Sequence, residues 1–180
     1  METDRPTHET ATSRVWYLRT AESSDGEVHE QRVEYAPGSP FPPTHFHPAQ
    51  DELFEVERGR MRFVVAGEEH VVAAGQVLTI PRGTLHRARN ASDVEHAVVR
   101  WETRPALRTT DFFTAAAMLG DDAGPLDSAL LAHEYRDVFR ATGAIGLLVP
   151  VLGRLARLGG RALPAPERGN GPPPRGEADA

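Results

Sequence analysis

Between residues 14 and 103 turn-forming residues cut the chain at short intervals. The breaks fall at Ser24-Asp25-Gly26, Pro37-Gly38, Pro40 to Pro43, Arg58-Gly59, Gly67-Glu68, Gly75 and Pro81-Arg82-Gly83. The segments between them are strand-length, among them residues 15–18, 28–35, 53–56, 61–66, 75–80, 85–89 and 94–103, and they carry β-branched and aromatic side chains in rough alternation. Long helices cannot form across such punctuation, and strands this short must share one buried face, so a sandwich or a barrel is expected. Arg58-Gly59 reads as a two-residue hairpin turn that pairs Val56 with Met61 and points both the same way.

Beyond residue 104 the apolar period changes. Thr110-Asp111 can cap a short helix that ends at Gly120. Pro125 then opens a helix over residues 126–142, with Leu130, Leu131, Tyr135, Val138 and Phe139 as its apolar stripe and Gly143 as its stop. Residues 145–158 are strongly apolar around Pro150; on a helix, Arg154, Arg157 and Arg161 lie opposite Ile145, Val149 and Leu152. Such a helix packs on the outer barrel wall or a partner subunit in the favoured reading, and lies in a membrane interface in the other. The expected organisation is a disordered stretch over residues 1–12, a β-domain over 14–103, a helical extension over 104–162 and a disordered Pro/Gly-rich tail over 163–180.

Composition narrows the function. The chain has no cysteine, which excludes disulfides, thiolate metal sites and cysteine nucleophiles. Its net charge is −6, and no basic patch interleaved with aromatics occurs in the first 140 residues, so nucleic acid is not an expected partner. The first twenty residues lack the apolar run of a secretory signal, which points to a cytoplasmic protein. An exposed N-terminal strand points to a homodimer.

The chemistry concentrates in His45-Phe46-His47. Residues two apart on a strand share a face, so both imidazoles can reach one point. Glu52 opens the next apolar run on the face of Phe54 and Val56, and a third imidazole, His86, follows the Pro81-Arg82-Gly83 turn. Neutral imidazoles with one carboxylate suit a divalent transition metal. His-x-His alone would be ordinary polar surface; His29, His70, His96 and His133 are left as such.

The spacing of these residues as a set resembles the cupin superfamily. Its first signature is similar to Gly38, His45-Phe46-His47, Glu52 and Gly59, with one extra residue between Gly38 and His45; its second is similar to Gly75, Pro81, Gly83, His86 and Asn90. The resemblance covers residues 14–103. It implies an all-β fold, a small double-stranded β-helix or jelly-roll barrel with the helices as an appendage, and one divalent metal ion (Fe, Mn, Ni or Zn) on His45, His47, Glu52 and His86. Asn90 reads as structural, its amide tying down a turn.

Phe54, Val56, Met61, Phe63 and Val65 are expected to line the lumen, giving a mostly apolar pocket for a small organic ligand. Arg100 and Trp101 lie on opposite faces of the last long strand. Arg100 is the candidate pocket residue for a carboxylate or phenolate; Trp101, if inward, suits an aromatic or aliphatic ligand. The resemblance implies an oxygenase-type or isomerase/cyclase-type enzyme, with a non-catalytic metal-assisted sensor as the alternative. No catalytic base is identifiable.

Overall fold

The computed structural model describes residues 5–164; of the ends expected to be disordered, 1–12 and 163–180, residues 1–4 and 165–180 lie outside the described residues. Two antiparallel sheets face each other. The six-stranded sheet runs β1 (His8–Glu9), β2 (Ser13–Arg19), β3 (His29–Tyr35), β10 (Ala97–Arg104), β5 (Asp51–Arg58) and β8 (Val77–Ile80). The five-stranded sheet runs β11 (Arg140–Ala141), β4 (His45–Phe46), β9 (His86–Asn90), β6 (Arg60–Val65) and β7 (Glu68–Ala73). From β3 to β10 the chain changes sheet at every step except β6 to β7. This is the expected jelly-roll, with a C-terminal helical appendage. Within the polar N-terminal stretch His8–Glu9 pairs with Val15 and Arg14, an order the sequence reading did not anticipate.

Alternation decides what goes inside. On β5 Glu52, Phe54 and Val56 are buried, and on β6 Met61 and Phe63. With Val72, Ile80, Ala97 and Val99 they form the core, and Tyr35, Val65, Leu78, Ala88 and Trp101 pack against it. Phe54 meets Phe63 edge-on at 5.1 Å and stacks on Trp101 at 5.0 Å, so aromatic faces and edges are both used. Asn90 is fully buried and, as expected, ties a turn: Nδ2 donates to the carbonyls of Tyr35, Ala36 and Glu95, and Oδ1 accepts from the Ser92 N–H.

Two sequence expectations are corrected. Arg58-Gly59 is not a hairpin turn, because β5 pairs with β10 and β8 while β6 pairs with β7 and β9. Gly59 is the corner where the chain leaves one sheet for the other. Its φ is +74°, and a Cβ there would sit 2.6 Å from the His96 carbonyl oxygen. Val56 and Met61 still meet in the core, across the sandwich rather than along a ladder.

The second correction concerns the extension. α1 (Thr109–Leu119) ends at Gly120 as expected, but α2 (Pro125–Glu134) stops eight residues before Thr142. Residues 135–138 form turns, and β11 is captured by the free edge of β4, pairing Arg140 with Phe46 and Ala141 with His45. Gly143 opens the third helix, α3 (Gly143–Leu158), rather than stopping the second.

α3 packs on α2 through small residues, where a Cβ at Gly153 would lie 2.5 Å from Cβ of His133, and meets the barrel edge at Gly146, against the Ala141 carbonyl of β11. Arg157 pairs with Glu134 and Arg161 with Asp127 along this seam. Its outer face shows Leu147, Leu148, Val151, Leu155 and Leu158. No helix of the described residues is long and apolar enough to cross a membrane.

α1 is joined to the barrel by buried polar contacts. Nε2 of Gln50 donates to the carbonyls of Pro105 and Ala106 and to Oγ1 of Thr109, at 2.7–3.1 Å. His29, fully buried, contacts Thr110 Oγ1 at 3.0 Å and Gln31 at 3.3 Å, with Phe113 stacked on it.

Two predictions follow from this packing. Gly59→Ala combines a left-handed backbone with a backbone clash and should cost more than about 2 kcal/mol. Gly75→Ala, equally left-handed but with open space around the new Cβ, should cost about 1 kcal/mol; equal midpoint shifts in urea would contradict the corner assignment. Burial pushes His29 down from 6.5 to about 4, Gln31 partly opposing. The unfolded chain therefore binds a proton that the folded chain refuses, and stability should fall as pH drops from 6.5 towards 4, by up to about 3 kcal/mol. Urea midpoints across this window should fall less for His29→Gln than for the parent, and parallel curves would refute the assignment.

Candidate metal centre

The strands that carry the expected site residues bring them to one end of the barrel. His45 on β4 and His86 on β9 are direct partners across the five-stranded sheet. His47 follows β4, held by the Gly83 N–H donating to its carbonyl at 2.8 Å. Glu52 enters from β5 in the opposite sheet, between Ile80 and Thr103. Asp51 next to it clamps the β8–β9 turn by accepting from the Arg82 amide and guanidinium at 2.7–3.2 Å, and Arg82 holds its carboxyl below the usual carboxylate range. The turn that aims His86 is thus tied to the strand that aims Glu52.

One nitrogen on each of the three imidazoles lies within 4.8 Å of the other two, and all three rings are buried. Glu52 is 2% exposed, with Oε1 3.2 Å from His47 Nε2 and Oε2 2.9 Å from His86 Nε2. The Trp101 indole N–H donates to Glu52 Oε1 at 3.1 Å.

The other ring nitrogens decide the proton placement. Nδ1 of His45 faces the Pro43 carbonyl at 2.9 Å, Nδ1 of His86 the Thr84 carbonyl at 2.9 Å, and Nδ1 of His47 the Val138 carbonyl at 2.6 Å. A carbonyl only accepts, so each Nδ1 carries the hydrogen and each neutral ring presents an Nε2 lone pair to the centre. Those lone pairs face one another and a carboxylate. Nε2 of His47 and Oε2 of Glu52 are buried without a hydrogen-bond donor.

Electrostatics sharpens this picture. Burial opposes charge on Glu52, but hydrogen bonds donated by His47 and His86, in the form of those rings that carries a proton on Nε2, outweigh it and hold the carboxyl at about 2. His45 is pushed down to about 3 by burial and by the other two rings. Burial also lowers His86, yet Glu52 and the Thr84 carbonyl outweigh it and raise its proton affinity. A proton on His86 still leaves Nε2 of His47 without a partner. The donor set therefore fits a divalent cation, with three nitrogens and one oxygen as ligand atoms and the Nδ1–carbonyl contacts as the outer shell that metal-binding imidazoles ordinarily have.

Of the expected lumen residues, Phe54, Val56, Met61 and Phe63 are packed together with Val65 against them, so they fill the barrel. Arg100 does not join them and is corrected. Its register partners are Arg32 and Glu55, on the outer face, and its guanidinium pairs with Glu30. Trp101, opposite Gln31 and Phe54, is the inward residue of the pair. Among the described residues no arginine is paired with any of the four candidate ligands.

Sequence reasoning missed Val138 and Phe139 as site residues. Phe139 stacks on His45 with ring centroids 4.5 Å apart and on Phe112 at 5.4 Å, while Phe113 reaches Trp101 at 5.2 Å. These aromatics looked like an ordinary helix stripe, and nothing in their spacing relates them to a histidine nearly a hundred residues earlier. An open groove on the outer face of the six-stranded sheet, lined by Arg14, Trp16, Arg32, Glu34 and Arg58, contains none of the four candidate ligands.

Residues 31–101 match the cupin domain family. Oxalate oxidase 1 of Hordeum vulgare is 34% identical over 119 residues, 61% of this chain and 56% of that protein. Germin-like protein 5-1 of Oryza sativa subsp. japonica is 35% identical over 77 residues, 40% of this chain and 34% of that protein. The chain thus spans about a third to just over half the length of these curated relatives. A predicted oxalate decarboxylase from Thermotoga maritima, solved by crystallography, superposes with a TM-score of 0.51 at 18% identity, over 56% of this chain and 91% of that one. Fold, signature residues and family match point the same way: residues 31–101 are similar to the cupin domain, within a jelly-roll fold like that of the solved neighbour.

Proposed function

We propose that this chain is a metal-dependent cupin holding one divalent ion (Fe, Mn, Ni or Zn) on His45, His47, Glu52 and His86, and that it acts on a small, weakly polar organic molecule as an oxygenase-type or isomerase/cyclase-type enzyme. The observation that carries this is the convergence of three buried imidazole nitrogens beside the Glu52 carboxylate, with His47 Nε2 and Glu52 Oε2 lacking a hydrogen-bond partner. When bound, such an ion supplies Lewis acidity towards a carbonyl or hydroxyl of the ligand, and a redox-active one supplies electron transfer.

The chain's own residues do the rest. Trp101 holds Glu52 in place through its indole N–H, and the three backbone carbonyls keep each ring aimed. Trp101, Phe139 and Phe113 wall the site and exclude water, which strengthens every electrostatic contact inside it. Some relatives carry the name oxalate oxidase, yet here Arg100 faces outward and no arginine pairs with the site, so a compact dianion would find no cation among the described side chains. An uncharged or singly ionised ligand suits these walls better.

A second reading, a metal-assisted sensor without turnover, is favoured by one observation: the helical extension lies directly on the candidate ligands, where ligand binding would move it. Metal analysis of the purified chain should find one divalent ion per chain. His47→Ala and His86→Ala should each weaken it at least about 100-fold, roughly 3 kcal/mol, whereas Arg100→Ala should leave affinity unchanged. Protein that takes up no divalent metal would end the proposal. Oxygen uptake with a panel of phenols and diketones separates the readings, since stoichiometric ligand binding without turnover supports the sensor.

A further inference from the structure

The segment between α2 and α3 lies outside the residues of the family match, yet it is fastened to the candidate ligands themselves. Its contacts lie on both sides of Phe139. The Val138 carbonyl accepts from His47 Nδ1 at 2.6 Å. Beyond Phe139, Arg140 and Ala141 pair with Phe46 and His45, and the Thr142 N–H and hydroxyl donate to the Thr44 carbonyl at 3.0 and 3.1 Å. The Phe139 ring lies between His45 and Phe112, with interplanar angles of 27° and 18°. Val138 is fully buried and packs with Ala115 and Tyr135.

His47 differs from its two neighbours in where its Nδ1 partner comes from. For His45 and His86 the carbonyl stands two residues back along the chain, and for His47 it stands 91 residues away. A ring whose outer nitrogen is released is free to rotate or change tautomer. The orientation of His47 therefore depends on whether residues 135–142 are docked. Anything that requires its Nε2 lone pair favours docking, by the reciprocity of linked equilibria. Phe139 meanwhile covers the face of His45, so a ligand approaching the centre from that side has to displace it.

We propose that residues 135–142 form a strap that positions His47 and gates the site, and that the slot vacated by Phe139, between His45 and Phe112, takes a planar, uncharged ring. The proposal rests on the metal reading above. The strap is docked when the ion is held, and its opening admits the organic ligand. Val138 and Phe139 are positioning residues, acting through His47 and His45. The flatness of the slot follows from the two rings stacked on Phe139, and its lack of charge from the absence of any arginine paired with the site among the described residues.

Hydrogen exchange on the full chain with and without zinc tests the strap without any substitution. With zinc bound at one per chain, amides of Phe139, Ala141 and Thr142 should exchange at least tenfold more slowly, while those of β2 stay unchanged. Failure to take up zinc removes the metal reading and the strap with it; zinc uptake with unchanged exchange at these amides removes the strap alone. In a second arm, Phe139→Ala should release zinc to a chelator at least tenfold faster than the parent. Phe139→Leu, which keeps the apolar bulk, should restore much of the slow release. With cobalt in place of zinc, 2-naphthol should perturb the visible absorption of Phe139→Ala at about one tenth of the concentration that the parent requires. Equal chelator rates, or equal naphthol titrations, in parent and Phe139→Ala would overturn the gate.

Discussion

A backbone carbonyl can only accept a hydrogen bond, and three of them, at Pro43, Thr84 and Val138, each take the Nδ1 hydrogen of one site histidine. That choice propagates inwards. Each neutral imidazole must then turn a lone pair towards the others, and the fourth participant, Glu52, is an anion. Buried acceptors that face only other acceptors carry the full desolvation cost with nothing to offset it. The arrangement holds together because the chain on either side of each residue is fixed elsewhere: His45 against His86 in the β4–β9 ladder, His47 by Gly83, and Glu52 between β8 and β10.

Because the four side chains come from both sheets, their separation is set by how the sheets pack. His45, His47 and His86 belong to the five-stranded side and Glu52 to the six-stranded side. The sheets are held at their spacing by Phe54, Phe63 and Met61 beneath the site, and by the corner at Gly59, which moves the chain from one sheet to the other. A substitution in that core acts on the site at a distance, by tilting β5 and with it Glu52. The helical extension contributes from above, where Phe112, Phe113 and Phe139 continue the aromatic stack that begins with Phe54 and Trp101.

The strands were legible because period-two alternation and Gly/Pro breaks are local properties, and so was the histidine set, whose spacing is fixed by short turns. Hairpin against corner at Arg58-Gly59 was not legible. Both need a glycine with positive φ, and only the partners of β5 and β6, far away in sequence, distinguish them. The parity of β10 was open for the same kind of reason. Arg100 goes outward because Glu30 and Arg19 build an ion pair there, while Trp101 finds Phe54 and the Glu52 carboxylate inside. Helix propensity over residues 135–142 was overridden by tertiary contacts: the free edge of β4 offers hydrogen bonds to Arg140 and Ala141, and His47 offers one to Val138.

Two buried carboxylates within this sheet show how differently the molecule treats negative charge. Glu30, 2% exposed, faces the outer side and is met by Arg19 and Arg100, two permanent cations. Burial opposes its ionisation, but those two guanidinium groups outweigh it and keep its carboxyl below the ordinary range. Glu52, equally buried, is paired with no arginine; its contacts are one indole N–H and the Nε2 atoms of two imidazoles. A structural carboxylate would be expected to resemble Glu30, since leaving a buried charge uncompensated costs on the order of 3–5 kcal/mol. Arg100, on the neighbouring strand β10, faces the other side of the sheet and is paired with Glu30. A carboxylate buried beside three imidazoles, with Arg100 directed to the opposite face, is an arrangement that a bound cation relieves.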